Sequence, residues 1–277
     1  MAGAWPPEPY RGATAALATC HGKAQALALP FQQRLGLGLR VAAIDTDAFG
    51  SFTGEVARSG SAADAAIAKA RAGMAATGLK LGLASEGSFG PHPWLPFGAL
   101  GVETLAFVDE VRGLTVVESA PSRRSNFSSF AVAPGADLAG WLARIGFPAH
   151  GVVVRAADGA VLAKGVTDAE ALAKLLPGAT RLETDMRAHM NPTRMVAIRA
   201  LARRLAARLA TPCPACAAPG WGQIGVERGL PCRQCGQATE LVAGLRFGCA
   251  ACGHAALLPR PDGVLLAEPG ECGWCNP

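Results

Sequence analysis

Four pairs of cysteines follow residue 212, and two residues separate the thiols within each pair. Such a knuckle turns tightly and can present both sulfurs to one tetrahedral metal ion, so two knuckles complete a four-thiolate site. Paired thiols in a chain without a secretion signal favour zinc over disulfides. The spacing therefore predicts two structural zinc ions with eight ligands, Cys213, Cys216, Cys232, Cys235, Cys249, Cys252, Cys272 and Cys275.

The spacing leaves two pairings of these knuckles open. The nested pairing joins the second knuckle to the third and the first to the fourth, and the hairpin-like stretch 239–247 favours it. The sequential pairing joins the first knuckle to the second and the third to the fourth. Either way four thiolates close the coordination sphere, so these metals are structural rather than catalytic. Residues 212–277 are thus predicted to be a small zinc-ribbon domain that needs metal to fold.

Composition limits the class of protein. Half of the residues are hydrophobic and 17% are charged, which excludes a disordered chain. No apolar run reaches the roughly 18 residues that span a membrane. The first residues lack the basic and apolar segments of a secretory signal, so we expect a cytoplasmic protein without a membrane partner.

The net charge says little about nucleic acid. The formal charge is +5, but eight thiolates and two zinc ions change it by −8 + 4 = −4, which leaves +1. Nucleic-acid binding through the ribbons therefore stays an open possibility, and bracing of the neighbouring domain is the simpler role.

Strand-like and helix-like segments alternate along residues 1–211, which predicts a mixed-sheet α/β domain. The clearest helix covers Ala62–Thr77, because Ser61 and Asp64 form a capping-box pattern and Gly78 ends it. Pro30 is expected to start or kink an earlier helix that ends near Leu35. The other predicted helices cover 137–145, 167–176 (capped by Thr167) and 192–209, and the predicted strands cover 13–19, 39–44, 79–83, 103–108, 114–118, 151–155, 160–163 and 181–184.

Residues 84–93 contain two glycines and two prolines, together with Glu86 and His92. We expect the chain to leave regular structure there, as a loop at the carboxyl end of a strand, where ligands bind in open α/β sheets. The alternative is a tight surface turn with incidental polar residues. Three further polar segments could share a site with this loop: 20–23, 45–55 and 183–194.

These motifs together resemble a bacterial family known as domain of unknown function 6671. The resemblance rests on segments spread over nearly the whole chain, namely 21–23, 49–55, 84–93, 183–195 and 272–277. The family implies no activity.

The order of motifs is also similar to that of the inosine-triphosphate pyrophosphatase fold. Those enzymes begin with a strand and an Ala-Thr-x-x-Gly-Lys-like turn, matched here by 18–23, and continue with a lysine- and alanine-rich helix, matched by 69–79. Their next strand ends in an acidic loop, but Ser85-Glu86 has one carboxylate instead of two. Their late Ser-His-Arg motif is absent as such, so no base selectivity is implied.

That resemblance suggests a metal-dependent phosphohydrolase acting on a nucleotide-like substrate. Lys23 would hold phosphate, Glu86 with an acidic residue of 45–55 would hold magnesium, and three late basic residues would stabilise phosphoryl charge. The catalytic candidates are Lys23, Asp47, Glu55, Glu86, Arg187, His189 and Arg194. The alternative is a non-enzymatic module that binds an anionic ligand, nucleic acid or a protein. The oligomeric state does not follow from the sequence.

Overall fold

A computed structural model describes residues 5–6, 8–19, 22–46, 60–91, 98–122 and 125–277. Two compact units are present: Tyr10–Ala206, called here the N-terminal unit, and Ala207–Pro277 with the chain up to Pro9, called the C-terminal unit. The sequence predicts a domain boundary between residues 211 and 212. Within the described part of the chain, no helix is both long and apolar enough to cross a membrane.

A five-stranded mixed sheet forms the first half of the N-terminal unit, in the order β2-β1-β3-β4-β5. β1 runs parallel to β2 and β3, whereas β3, β4 and β5 are successively antiparallel. The elements are β1 (Thr14–Ala18), α1 (Ala24–Leu35), β2 (Gly38–Val41), α2 (Ala62–Thr77), β3 (Leu81–Pro91), β4 (Ala99–Asp109) and β5 (Leu114–Ser122).

Helix α2 has the predicted bounds and packs on the sheet through small side chains. The Asp64 N–H donates to Ser61 Oγ at 3.2 Å and the Ser61 N–H donates to Asp64 Oδ2 at 3.0 Å, which completes the capping box. Gly78 ends the helix with a φ of +69°. A Cβ on Gly73 would lie 3.2 Å from that of Ala18, so the helix approaches β1 closely.

The loop predicted at 84–93 is wrong over its described part, because β3 continues through Pro91. Every residue from Leu81 to Pro91 has an antiparallel partner on β4, and this long ladder satisfies the backbone despite the glycines. At Gly87 a neighbouring group occupies the space that a side chain would need, as shown below. His92 lies outside the described residues.

Two helix starts also differ from the prediction. Helix α1 begins at Ala24 rather than at Pro30, which lies buried inside the helix. Helix α4 is capped by Asp168 rather than Thr167, because the Asp168 carboxylate accepts the Ala171 N–H at 2.7 Å.

The second half of the N-terminal unit contains an antiparallel sheet in the order β6-β9-β7-β8. Its apolar core gathers Trp141, Val152, Val154 and Leu182. The elements are β6 (Ser129–Ala131), α3 (Leu138–Ile145), β7 (Val152–Arg155), β8 (Val161–Val166), α4 (Ala169–Leu175), β9 (Arg181–Thr184) and α5 (Pro192–Leu209). Asn191 caps α5 as predicted, with its Oδ1 accepting the Arg194 N–H at 3.1 Å.

The C-terminal unit contains a three-stranded antiparallel sheet in the order β10-β11-β12, where the sequence predicted a single hairpin-like stretch. Its strands are β10 (Gly222–Arg228), β11 (Val242–Gly248) and β12 (Ala255–Pro259). One strand lies between each cysteine knuckle and the next along the chain.

Candidate functional site

The eight cysteines converge in two groups of four, and within each group the sulfurs lie within 4.8 Å of one another. Sulfurs of different knuckles approach to 3.7–3.9 Å. A tetrahedral ion with metal–sulfur distances of ~2.3 Å separates its sulfurs by ~3.8 Å, whereas a disulfide needs ~2.05 Å. The two groups therefore fit two metal ions, and their thiolate ligands are compatible with zinc.

The pairing is neither of the two arrangements that the sequence left open. The first knuckle joins the third, as Cys213, Cys216, Cys249 and Cys252, and the second joins the fourth, as Cys232, Cys235, Cys272 and Cys275.

The antiparallel sheet explains this interleaving. Gly222, at the start of β10, pairs with Gly248 at the end of β11, and Gly244 pairs with Pro259 at the end of β12. Each strand thus carries the chain to the opposite end of the sheet. Successive knuckles alternate between the two ends, so the first meets the third and the second meets the fourth.

Backbone donors in the second knuckle favour the thiolate form of its first cysteine. N–H groups of Cys235 and Gln234 lower the pKa of Cys232 to about 7, which favours the thiolate that metals bind. After the second cysteine of the first three knuckles, the chain turns with positive φ at Ala217 (+58°), Gly236 (+72°) and Gly253 (+73°). Ala217 is the only non-glycine residue with positive φ among the described residues.

Five buried charged side chains of the N-terminal unit are linked by the electrostatic interactions of Lys23 with the other four, and we call them the charge cluster: Lys23, Lys69, Glu86, Glu103 and Arg194. The Lys69 Nζ lies 2.5 Å from Glu86 Oε2. Arg194 binds Glu103 in a bidentate pair, with Nε–Oε1 at 2.7 Å and Nη2–Oε2 at 3.0 Å. Both carboxylates are thus engaged by cations on helices α2 and α5, and the cluster as a whole carries one excess positive charge.

Local packing holds Arg194 in place. Its guanidinium also donates to the Met186 carbonyl and lies 4.5 Å above the ring centre of Phe89 on β3. A Cβ on Gly87 would lie 2.5 Å from Arg194 Nη2, so glycine at this position of β3 makes room for the arginine.

Lys23 is the one cation of the cluster that has no ion-pair partner among the described carboxylates. Its Nζ donates to the Ser85 carbonyl at 3.3 Å, and the residue is only 6% exposed. Burial, followed by the positive charge of Arg194, lowers its pKa to about 8. Beside it, the buried Ser85 hydroxyl has no hydrogen-bond partner. Two buried polar groups at this point are therefore under-satisfied.

A cavity of about 430 Å³, called here the α1 cavity, opens beside the first turn of α1. Gly22, with a φ of +66°, brings the chain to within van der Waals reach of His189. Among the described residues, no side chain caps the start of α1. Burial, followed by the charge of Arg187, lowers the pKa of His189. The walls include Gly22, Gln25, His189, Met195, Val196 and Arg199.

The structure unites some of the residues selected from sequence and separates others. Lys23, Glu86 and Arg194 meet in the charge cluster, and His189 lines the α1 cavity. Arg187 instead binds Asp185, with Nη2–Oδ2 at 2.6 Å. Asp47 and Glu55 lie outside the described residues.

Lys69 and Glu103 were not selected from sequence as site residues, although each carried a signal. Lys69 is flanked by alanines on the helix face that packs on the sheet. Glu103 lies in a largely apolar strand that is buried along most of its length, where a buried charge requires a partner.

Comparison with known proteins gives a family and no activity. No curated protein matches the chain, and no solved structure matches it. A family model described as Domain of unknown function (DUF6671) matches residues 69–277, which include most of the charge cluster and all eight cysteine ligands. The chain therefore belongs to the DUF6671 family.

Proposed function

We propose that the N-terminal unit binds a small phosphate-bearing anion, such as a nucleotide-like molecule, in the α1 cavity, and that the C-terminal unit holds two structural zinc ions. The observation that carries the anion proposal is Lys23, a buried ammonium with one backbone acceptor and no described carboxylate partner. It is not itself a wall residue of the cavity but lies in the chain between two of them, Gly22 and Gln25.

The charge balance favours an anion at this place. An isolated buried ammonium is costly, and a partner of opposite charge offsets that cost. Glu86 and Glu103 are committed to Lys69 and Arg194, which leaves the excess positive charge for a ligand. The Ser85 hydroxyl offers a further donor beside Lys23.

The walls of the α1 cavity suit phosphate. The N-terminus of α1 presents the positive end of the helix dipole, and no acidic residue lies in its first turn. Arg199 and His189 add two cationic or donating groups. The volume lies within the roughly 300–1,000 Å³ typical of small-molecule sites.

Calorimetry with inorganic phosphate and pyrophosphate tests the proposal. We expect binding by the wild-type chain, loss of binding in Lys23→Met, and retention in the control Lys80→Met, since Lys80 is exposed and forms an ion pair with exposed Glu110. Equal binding by a folded Lys23→Met protein would refute the assignment.

Magnesium-dependent hydrolysis of a nucleotide is a second candidate. It is supported by the nearness of Glu86 to Lys23 in the charge cluster and by the resemblance of the motif order to inosine-triphosphate pyrophosphatases. We expect release of phosphate or pyrophosphate from a nucleoside triphosphate only with magnesium, and its loss in Glu86→Gln. Binding without turnover across all common nucleotides would leave a binding module as the function.

A further inference from the structure

A second cavity, of about 460 Å³, lies on the neighbouring face of α5, and we call it the apolar groove. Strand β5 contributes Ala120 and Pro121 to its walls, and α5 contributes Val196, Ala197, Ala200 and Leu201. Alanines on the helix leave a depression where larger side chains would fill the space against the sheet.

The polar groups at the edge of the groove already have partners. Both oxygens of Glu103 accept from Arg194, and Thr193 Oγ1 lies 2.9 Å from Nε2 of His150. Arg204 is bound to Glu118. The surface that remains for a ligand is therefore apolar, and Val196 at its rim is 67% exposed.

The groove and the α1 cavity share one wall residue. Val196 lines both, so the two lie on adjacent faces of the first turns of α5. Glu103 forms part of the groove wall and, through Arg194, belongs to the same charge cluster as Lys23.

From this juxtaposition we propose that the ligand is an organic phosphate ester whose apolar or aromatic group occupies the groove while its phosphate occupies the α1 cavity. The inference rests on the proposed anion site and narrows its ligand class, because inorganic phosphate and pyrophosphate would leave the groove uncovered. Burial of a ring against these side chains adds affinity in proportion to the apolar area removed from water.

Calorimetry with inorganic phosphate, methyl phosphate and phenyl phosphate tests the inference. We expect phenyl phosphate to bind on the order of tenfold more tightly than methyl phosphate. Ala200→Phe, which fills the groove, should abolish that advantage without weakening inorganic phosphate. The matched control is Ala75→Phe, the same change at an exposed position of α2 outside the groove.

The outcomes separate the inference from the proposed function. If all three probes fail to bind, or bind equally to Lys23→Met, the anion site itself is wrong. If inorganic phosphate binds but the phenyl group adds nothing, or adds the same affinity in folded Ala200→Phe, the groove is not the ring site. Ala197→Ser, which makes a wall of the groove outside the α1 cavity polar with little added bulk, should weaken phenyl phosphate alone. An unchanged affinity for phenyl phosphate in this variant would also overturn the inference.

Discussion

At the scale of single residues, the surroundings of Lys23 disfavour the charged form of its amine. Burial and the neighbouring Arg194 lower its pKa from 10.5 to about 8. The folded chain therefore releases this proton more readily than the unfolded chain does, and below pH 8 the charged lysine destabilises the fold by roughly 3 kcal/mol.

We expect the free energy of unfolding to rise as the pH increases from about 8 to 10.5, because in this window the unfolded state holds the proton that the native state has lost. Urea unfolding at pH 7.5 and pH 9.5 measures the effect. Lys23→Met should remove this part of the rise, whereas Lys80→Met should keep it. A rise of the same size in Lys23→Met would contradict the assignment.

Ala217 occupies a backbone conformation that glycine occupies in the next two knuckles. A residue with a Cβ is destabilised in this conformation by roughly 1–2 kcal/mol. Glycine avoids that strain, but its greater conformational entropy in the unfolded state cancels part of the gain. We expect Ala217→Gly to stabilise the metal-loaded chain by about 0.5–1 kcal/mol, and the reciprocal Gly236→Ala to destabilise it by a similar amount. Denaturant unfolding of both variants checks the prediction, and stabilisation by both would refute the strain argument.

At the scale of elements, β3 and α5 depend on one close approach. A Cβ at Gly87 would overlap Arg194 Nη2, so Gly87→Ala should displace the guanidinium from Glu103. Breaking a buried pair costs about 3–5 kcal/mol. Gly90→Ala on the same strand is the control, because nothing lies within 4 Å of its added Cβ.

Thermal or urea unfolding should show a large loss of stability for Gly87→Ala and a small change for Gly90→Ala. The Gly87 variant should also bind phosphate more weakly, since the charge cluster is disturbed. Equal stability of the two variants would mean that the Arg194–Glu103 pair adapts without cost.

At the scale of the whole molecule, the interleaved pairing of the cysteine knuckles leads to a prediction that distinguishes it from the nested and sequential pairings. Replacing both knuckles of one observed group, Cys213, Cys216, Cys249 and Cys252, by serine should leave one site intact. Under nested or sequential pairing the same four replacements would destroy both sites. Metal analysis after competition with a chelator should find about two zinc ions in the wild-type chain and about one in this variant. Retention of none would refute the interleaved arrangement.

The sequence alone determined the elements and ligands whose signals are local. The ends of α2 follow from Ser61, Asp64 and Gly78. The eight cysteines are recognisable as metal ligands because two residues separate the thiols within each pair. The cap of α5 at Asn191 is equally local. Such features need only neighbours along the chain, so their physical cause is visible in the sequence.

Tertiary structure alone decided the features that depend on distant partners. Residues 84–91 form a strand because β4 supplies a partner for each of them, although their glycines favour a loop. Lys69 and Glu103 belong to the charge cluster because each forms an ion pair with a residue of another element, Lys69 with Glu86 and Glu103 with Arg194. The knuckles interleave because each of the three antiparallel strands places the next knuckle at the opposite end of the sheet. In each case the deciding energy comes from a pairing between residues far apart in the sequence.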